Sequence, residues 1–452
     1  MLILTEIVPR GPLIQACQLC CELVIAGRYH KIDASGKLHP RMPLSNAIAD
    51  QSAVRLLERH EDVAALADRI RAVGIMGLDT EFVSERTYQP QLALLQVATP
   101  DEICLIDPLS DRIQEAPDQP IWDLMADPSI RTIVHAHDQE AQFCLQRTGK
   151  SPGDLFDVQL AAAFSGHYFP IAYDKLVGRE LRRSVGPSQS RTNWLQRPLT
   201  EAQCRYAADD VRWLFRLHDR FVERMSQDPA QERLSWLREE TNARLNRLGR
   251  RETDRWRRLS GANKLSPRSL AALRELSSWR EQVASRRNVP FRRIASDGLL
   301  VAVAASRPES RGELSSVRGV GQLKQNYHQD VLDAVETALA VPEDALPSPV
   351  SRHNRGKPSR MVLLFLESVL AAACARHQID SELVGSSSQL RALVSWNENG
   401  RPSDDMPPLL VGWRAEVCGQ PLLDALDGRI SLSISDPLSA NPLAVAGLGL
   451  PS

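Results

Sequence analysis

The chain has 452 residues, of which 43% are hydrophobic and 25% charged, and its formal net charge is −1. A chain of this length is too long for one ordinary core, so roughly three domains of a soluble, folded protein are expected. No run of about 18 apolar residues is present, and no basic segment precedes the apolar residues at the start. We therefore expect neither a membrane span nor a signal peptide, and a cytoplasmic location without a membrane partner.

The eight cysteines are scattered along the chain and do not form the spacing of a disulfide framework. Reduced thiols are typical of a cytoplasmic protein. Cys17, Cys20 and Cys21 form a C-x-x-C-C cluster, but no second cysteine pair follows at the distance of a zinc ribbon. A structural zinc site is therefore not expected here.

The pattern of apolar residues predicts a mixed α/β domain at 52–225, after an N-terminal extension at 1–51 to which we assign no role. "AVRLLERHEDVAALADRIRAV" has apolar residues at helical spacing. "GIMGLDTEF", "LALLQVAT", "EICLIDPL" and "RTIVHA" are typical of strands, and further helices are predicted around 157–165 and 201–225.

Strand patterns end after about residue 226, and the rest of the chain is predicted to be helical. The predicted divisions, in chain order, are a basic helical connector at 226–264, a helical domain at 265–341, a proline-rich linker at 342–357, a second helical block at 358–436 and an irregular tail at 437–452. The fold class expected from the whole chain is an α/β domain followed by all-α domains.

The stretch "MGLDTEF" places two acids, Asp79 and Glu81, inside a strand that is otherwise apolar. Residues two apart in a strand point to the same face, so both carboxylates are aimed at one place. Like charges brought together repel each other unless a cation lies between them. The pair alone is weak evidence, because a D-x-E arises by chance in a chain of this length.

Two further segments supply partners for this pair. In "CRYAADDVRWLF", Tyr206 and Asp210 lie four apart on a predicted helix and so share one face. In "TIVHAHDQEAQF", Asp138 and Glu140 follow a buried strand. Three acidic segments in one α/β domain predict a cluster of carboxylates for two Mg²⁺ or Mn²⁺ ions. Two such ions about 3.5–4 Å apart would support phosphodiester hydrolysis.

The same segments, in the same order, resemble the three motifs of the DEDD superfamily of 3′–5′ exonucleases, tyrosine subtype. Within it, "DTEFVSERTYQPQLALLQVAT", "FDVQLAAAF" and "SRTNWLQRPLTEAQCRYAADDV" resemble the ribonuclease D family over about 52–220. The resemblance implies a ribonuclease H-like fold with a mixed five-stranded sheet flanked by helices. It also implies an exoribonuclease that releases nucleoside 5′-monophosphates, with RNA 3′ ends such as transfer RNA precursors as substrates and no obligate protein partner.

The resemblance further implies the role of each site residue. Asp79 would contact both metal ions, and Glu81 and Asp210 would bind the ion that carries the attacking water. Tyr206 would orient that water rather than act as a full general base, since a phenol has an unperturbed pKa near 10. Phe82, Arg86, Tyr88 and Gln91 are candidates for contact with the terminal nucleotides, although Phe82 could equally be a core residue.

The second motif departs from the family pattern, which has Asp where ungapped spacing puts Glu140. We favour Glu140 as the ligand over Asp138. The additional methylene requires the carboxylate to fold back or to hold the metal through water. His135 and His137 are interpreted as hydrogen-bonded structural groups rather than ligands. Asp157 is either a support for the site or an acid at the start of a helix.

The helical block at 265–341 resembles the HRDC domain (helicase and ribonuclease D C-terminal), and 358–436 is a candidate for a degenerate second copy. Residues 241–293 hold fifteen Lys or Arg against four acids. These arginines could bind phosphates, or they could form a solvated helical face neutralised by acids of neighbouring domains.

Three functions are compatible with these residues. The first is the metal-dependent 3′–5′ exoribonuclease. The second is a DNA-directed 3′–5′ exonuclease for proofreading or repair that uses the same site, since recognition of the 2′-hydroxyl cannot be identified from these residues. The third is an RNA-binding protein whose catalytic site has been weakened by the change to Glu140. Retention of Asp79, Glu81, Tyr206 and Asp210 argues against the third.

Overall fold

The computed structural model describes most of the chain. The described residues are 30–32, 38–40, 54–85, 87–110, 117–227, 232–251, 255–348, 358–439 and 441–447. Two short antiparallel strands, β1 (His30–Ile32) and β2 (Leu38–Pro40), are the described part of the N-terminal extension. The C-x-x-C-C cluster and Arg86, a candidate nucleotide-binding residue, lie outside the described residues.

The first large unit is a six-stranded mixed sheet with helices on both faces. Its elements are β3 (Val54–Leu57), α1 (His60–Val73), β4 (Ile75–Val83), β5 (Gln91–Ala98), β6 (Ile103–Ile106), α2 (Gln119–Ala126), β7 (Arg131–Val134), α3 (Asp138–Thr148), β8 (Asp154–Asp157), α4 (Val158–Ala163), α5 (Tyr173–Leu181), α6 (Glu201–Arg212) and α7 (Leu214–Ser226). The strand order is β3-β6-β5-β4-β7-β8, with β5 antiparallel to both of its neighbours and the other pairs parallel.

The α/β prediction for this unit is confirmed, with two corrections. The segment "AVRLLERH…" is helical only from His60, because Val54–Leu57 forms the edge strand β3 beside β6. This strand makes the sheet six-stranded rather than five-stranded. The second correction concerns the helix around 201–225, which is divided at Trp213 into α6 and α7.

Alternate residues of β4 enter two different cores. Met76 and Leu78 are fully buried against α1, α2 and α3. Gly77 faces the other side, where a Cβ would lie 3.2 Å from Leu214 of α7. The alternation that buries Met76 and Leu78 on one face therefore places Asp79 and Glu81 on the face covered by α6 and α7.

Two helical units follow, as predicted. The long helix α8 (Glu232–Arg251) leads to the first of them, with α9 (Pro267–Arg287), α10 (Asp297–Ser306), α11 (Arg311–Ser316) and α12 (His328–Leu339). The second contains α13 (Arg360–Arg376), α14 (Ser381–Val384), α15 (Ser387–Glu398) and α16 (Gln420–Leu426). The first unit has a separate core, in which Trp256 is buried.

The predicted irregular tail is a different case. β9 (Ile430–Ile434) and β10 (Leu443–Gly447) pair antiparallel over five residues each. The helical prediction for 358–436 is therefore wrong at β9, and the prediction of an irregular tail at 437–452 is wrong at β10. Within the described ranges, no helix combines the length and apolar character needed to cross a bilayer.

The second helical unit shares one continuous core with the α/β unit, and α8 lies between them. Trp413 packs edge-on against Phe164 of α4's C-terminal end, with ring centroids 4.9 Å apart. Arg233 of α8 donates to the carbonyl oxygen of Phe164 (2.6 Å) and to that of His377 (2.9 Å). One guanidinium therefore connects the two units through the helix between them.

Glu240 of α8 is the most buried charge at this junction. It is fully buried and accepts hydrogen bonds from Arg414 (2.7 Å), Arg244 (2.8 Å) and the indole of Trp413 (3.3 Å). Burial by itself would raise the pKa of Glu240, but the hydrogen bond and charge of Arg414 outweigh burial and lower it. This carboxylate is ionised and shared between two elements.

We expect Glu240→Ala to lower the free energy of unfolding by about 3 kcal/mol, because Arg414 would lose its buried counterion. Chemical denaturation would measure this loss. Glu232→Ala, on the exposed first turn of the same helix, should change it by less than about 0.5 kcal/mol. Equal effects of the two variants would contradict the role assigned to Glu240.

Candidate active site

The first motif lies at the C-terminal end of β4. Asp79 and Glu81 are half-buried on one face, while Thr80 between them is buried on the other. The register between β4 and β5 shifts between Glu81 and Phe82, which marks a β-bulge. Bulges redirect side chains and occur next to active sites. Here the bulge follows directly after the second acid.

The second motif is supplied by the first turn of α3. β7 pairs with β4 only as far as Gly77, so the edge of β4 beyond that residue faces α3. Glu140 is 4% exposed, and its Oε1 accepts a 2.7 Å hydrogen bond from the hydroxyl of Thr80. The side chain of Asp138, in contrast, is 59% exposed. The structure thus places Glu140, and not Asp138, against the strand that carries the first motif.

A buried carboxylate fixes the turn that starts α3. Asp157 accepts from the backbone N–H groups of Ala136 (3.1 Å) and His137 (3.2 Å), and it lies 2.7 Å from Nδ1 of His137. It also caps α4 by accepting from the N–H of Gln159 (2.8 Å). Burial would raise the pKa of Asp157, but His137 outweighs burial and holds the pKa well below its usual range. Asp157 therefore both caps a helix and supports the site.

The two histidines have the structural roles that were favoured from the sequence. His137 is bonded to Asp157, as described, and is 1% exposed. Nε2 of His135 lies 3.0 Å from the carbonyl oxygen of Ile171, and its ring contacts Tyr173 edge-on.

The third motif is carried by α6, and its position is set by contacts at the start of that helix. Thr200 and Gln203 form a capping box, which satisfies two backbone N–H groups. Just before it, Arg197 donates to both oxygens of Asp107 (2.5 and 2.6 Å) and to the carbonyl oxygen of Ala93 (2.7 Å). The ion pair ties the approach to α6 to the end of β6, and the bond to Ala93 ties it to β5, so the face with Tyr206 lies over the sheet.

The four acids of the three motifs influence one another electrostatically. Burial, followed by the charges of Asp210, Glu140 and Glu81, raises the pKa of Asp79 well above the usual value. Burial, followed by the charge of Glu81, raises the pKa of Asp210 to about 8. Burial also raises the pKa of Glu81 to about 7. Clustered carboxyls with raised pKa values are typical of functional sites.

Glu140 belongs to this cluster as well. Burial raises its pKa to about 7, and the hydrogen bond from Thr80 opposes the increase. Its charge is one of the causes that raise the pKa of Asp79. The longer side chain therefore still places its carboxyl within electrostatic reach of the first motif.

Tyr206 is hydrogen-bonded to Asp210 on the same helix face and to Ser188 in the loop before α6. Burial, together with the charge of Asp210, raises the pKa of the Tyr206 phenol. The phenol remains protonated at neutral pH, which suits an orienting group better than a general base.

The donor set fits a hard divalent cation. All four groups are carboxyl oxygens, they come from three separate elements, and their mutual repulsion is relieved by a positive charge. Among the described side chains, no three His, Cys, Asp or Glu groups stand in a finished metal-binding arrangement.

The candidate nucleotide contacts are placed differently from one another. Phe82 packs against Phe143 of α3 with ring centroids 6.0 Å apart, in the core beneath the sheet. Gln91 is exposed at the start of β5. Tyr88 packs against the core of the first helical unit, and its N–H donates to Oδ1 of Asn288 (3.3 Å).

The basic segment at 241–293 is only partly available for phosphates. Arg244 and Arg255 have acidic partners in Glu240 and Glu281. Arg280 is buried and donates to Asp297 (2.7 Å). Arg286 is exposed. The solvated-face interpretation therefore holds for part of this segment, and the phosphate interpretation stays open for the rest.

Three residues near the site were not identified from the sequence. Thr80 holds Glu140, Ser188 contacts Tyr206, and the buried hydroxyl of Tyr173 accepts from the N–H of Trp213 (3.2 Å) next to the third motif. Thr80 could have been found, because it lies between the two acids of the first motif. Ser188 and Tyr173 carry no such signal, since they reach the site through the path of the loop and the packing of α5.

Comparison with known protein families identifies the class of protein to which the chain belongs. Residues 54–226 match a 3′–5′ exonuclease family, residues 269–335 match the HRDC domain, and residues 361–422 match the C-terminal HRDC domain of ribonuclease D. The fold and the carboxylate site thus define a 3′–5′ exonuclease with helical HRDC domains. The second copy, predicted as degenerate, is matched by a family model of its own.

Full-length relatives narrow the class further. The chain is 33% identical over 383 residues to ribonuclease D of Gluconacetobacter diazotrophicus, covering 84% of this chain and 94% of the relative. It is 32% identical over 377 residues to ribonuclease D of Escherichia coli, covering 82% and 98%. The crystal structure of the Escherichia coli enzyme superimposes with a TM-score of 0.69 at 31% identity, over 83% of this chain and 99% of that one.

The chain belongs to the ribonuclease D family and is a 3′–5′ exoribonuclease. RNA is its substrate class, and exonucleases of this family depend in general on divalent metals. The predicted enzyme class, fold class and RNA partner are confirmed. The individual site residues and the domain boundaries stay predictions.

We expect stability without metal to depend on the charge of Asp210. The pKa of Asp210 is raised from 3.8 to about 8 on folding, so the unfolded chain loses this proton first and the native protein loses stability progressively between about pH 4 and about pH 8. In EDTA, Asp210→Asn should therefore melt nearly like the native protein near about pH 4 and several degrees higher at about pH 8 and above. Differential scanning fluorimetry across this range would measure the difference.

Excess Mg²⁺ should reverse this order at high pH, because the native site would gain an ion that the variant binds less well. Asp138→Asn, which removes an exposed acid, serves as the control and should follow the native curve in both conditions. A difference between Asp210→Asn and native that does not vary with pH would contradict the proposed electrostatic coupling.

Proposed function

We propose that the protein trims the 3′ ends of structured RNA, including transfer RNA precursors, and releases nucleoside 5′-monophosphates. The observation that supports this most directly is the convergence of Asp79, Glu81, Glu140 and Asp210 from β4, α3 and α6: burial and the charges of the other three acids raise the pKa of Asp79, and burial and the charge of Glu81 raise the pKa of Asp210. The Escherichia coli relative is an exoribonuclease involved in structured RNA processing. The match covers 99% of the chain of that relative, which supports the same class of substrate for this protein.

The four carboxyls are the groups that would hold the metal, two Mg²⁺ or Mn²⁺ ions in this proposal. Asp79 lies centrally, since its pKa responds to the other three acids, and it would be shared between both ions. Glu81 and Asp210 would serve one ion and Glu140 the other. When bound, such ions would lower the pKa of an attacking water and stabilise the charge on the leaving oxygen.

Tyr206 would orient the attacking water. Its phenol interacts with Ser188 in the loop before α6 and with Asp210 on the same helix. Because its pKa is raised, the phenol keeps its proton and acts through hydrogen bonding and orientation. The packing of Trp194 beside the ring, with centroids 6.2 Å apart, limits its movement.

We expect Asp79→Asn to reduce mononucleotide release from RNA at least about a hundredfold, because even residues that only support metal ligands cost 10- to 100-fold. The assay would incubate native and variant protein with Mg²⁺ or Mn²⁺ and matched 3′-tailed RNA and DNA labelled at their 5′ ends. Faster shortening of DNA would favour the DNA-directed alternative. No shortening by the native protein with either metal would favour the binding-protein alternative.

A second pair of variants tests the ligand of the second motif. Glu140→Asp should retain or raise activity, because the shorter acid still supplies a carboxylate there, whereas Glu140→Gln should lose at least about tenfold. Asp138→Asn should change activity less than about twofold, since its side chain points to solvent. Steady-state kcat would be compared on one RNA. The opposite ranking would reassign the ligand to Asp138.

A further inference from the structure

We infer that a groove between the β4–β5 loop and helix α9 binds single-stranded RNA upstream of the 3′ end that is being cleaved. This joint groove is lined by Tyr88, Glu281, Gln282, Ser285 and Arg286 and has a volume of about 420 Å³. The inference rests on the proposed function, because it assigns the path of the RNA outside the catalytic cleft.

Tyr88 of the joint groove and Glu81 of the candidate active site are close together in the sequence. Tyr88 follows Glu81 by seven residues, and an extended chain spans at most about 3.6 Å per residue, so the two lie within roughly 25 Å of each other. The hydrogen bond between the N–H of Tyr88 and Asn288 holds the loop against the end of α9. The groove is therefore formed by the catalytic strand's own loop and the first helical unit together.

The lining has the chemistry that single-stranded nucleic acids require. The ring of Tyr88 is half-buried against the core of the first helical unit and also lines the groove, so its exposed part offers a surface on which a base can stack. Arg286 is exposed and can meet a phosphate, while Gln282 and Ser285 supply hydrogen-bond donors. The one acid, Glu281, is paired with Arg255 (3.6 Å), which reduces its repulsion of a polyanion.

The groove continues in a second hollow of about 390 Å³ along the same helix. This hollow shares Glu281 and Gln282 with the joint groove and adds Arg255, Arg274 and Arg280 together with a second acid, Glu275, which is paired with Arg274 (3.0 Å). Two adjoining hollows of this size suit a strand of several nucleotides. A single mononucleotide or an inorganic phosphate would occupy only a fraction of them.

The test compares a long and a short substrate in the full-length enzyme. The quantity compared is the kcat/KM for a single-stranded RNA of about 20 nucleotides divided by the kcat/KM for a trinucleotide. We expect Tyr88→Leu to lower this ratio by roughly five- to tenfold and Arg286→Gln to lower it by roughly threefold. Tyr88→Phe, which keeps the aromatic ring, should restore most of the ratio. Arg318→Gln is the matched control, because Arg318 is an exposed arginine of the same unit that does not line the groove.

Binding measured without turnover separates this inference from the proposed function. Fluorescence anisotropy of the same labelled 20-nucleotide RNA in EDTA should show weaker binding by Tyr88→Leu and Arg286→Gln than by Arg318→Gln, and a smaller salt dependence for Arg286→Gln. This result would support the groove even if the native enzyme released no mononucleotides, which would overturn the proposed function alone. An unchanged selectivity ratio with unchanged binding, or equal losses in Arg318→Gln, would overturn the groove.

Discussion

The structure depends on keeping four carboxyl groups together where water cannot fully screen them. Asp79, Glu81, Glu140 and Asp210 come from three elements, and burial raises the pKa of each; neighbouring acids raise the pKa values of Asp79 and Asp210 further. A protein that assembles such a cluster must hold it by interactions elsewhere. Here these are Asp157 at the start of α3, the Arg197–Asp107 pair before α6 and the buried alternate residues of β4. Each fixes one acid-bearing element without using the acids themselves.

Glu140, the proposed ligand of the second motif, shows how a longer side chain can be accommodated. Glu140 is not turned away to solvent, because Thr80 of the catalytic strand donates to it and the surrounding core excludes water. Hydrogen bonding to one oxygen leaves the other available for a cation, since a carboxylate accepts several bonds. A threonine between the two acids of the first motif thus connects the first and second motifs directly. The additional methylene changes the route of the side chain while the carboxyl group stays in the site.

Much of the fold could be predicted from local pattern, and the failures have physical causes. The acid positions were accessible because strand alternation and helix spacing determine which side chains share a face. The edge strand β3 was missed because "VRLL" runs directly into a helical pattern, and short apolar runs do not distinguish strand from helix. The β9–β10 hairpin was missed because its strands are short and low in charge. The position of Tyr88 against Asn288 joins residues 200 apart, which no local pattern reports.

The two helical units are attached to the nuclease in physically different ways, and this difference assigns them different tasks. The second is joined through a shared core and a fully buried carboxylate, Glu240, so separating it from the nuclease would expose apolar surface and leave Arg414 without its partner. The first has its own core. Among the described residues, Tyr88 is the side chain of the α/β unit that packs against this core. A unit that is stable on its own core can present polar surface at the junction, because that junction is not needed to complete its folding. The groove is therefore located where the chain can use an interface for binding rather than for stability.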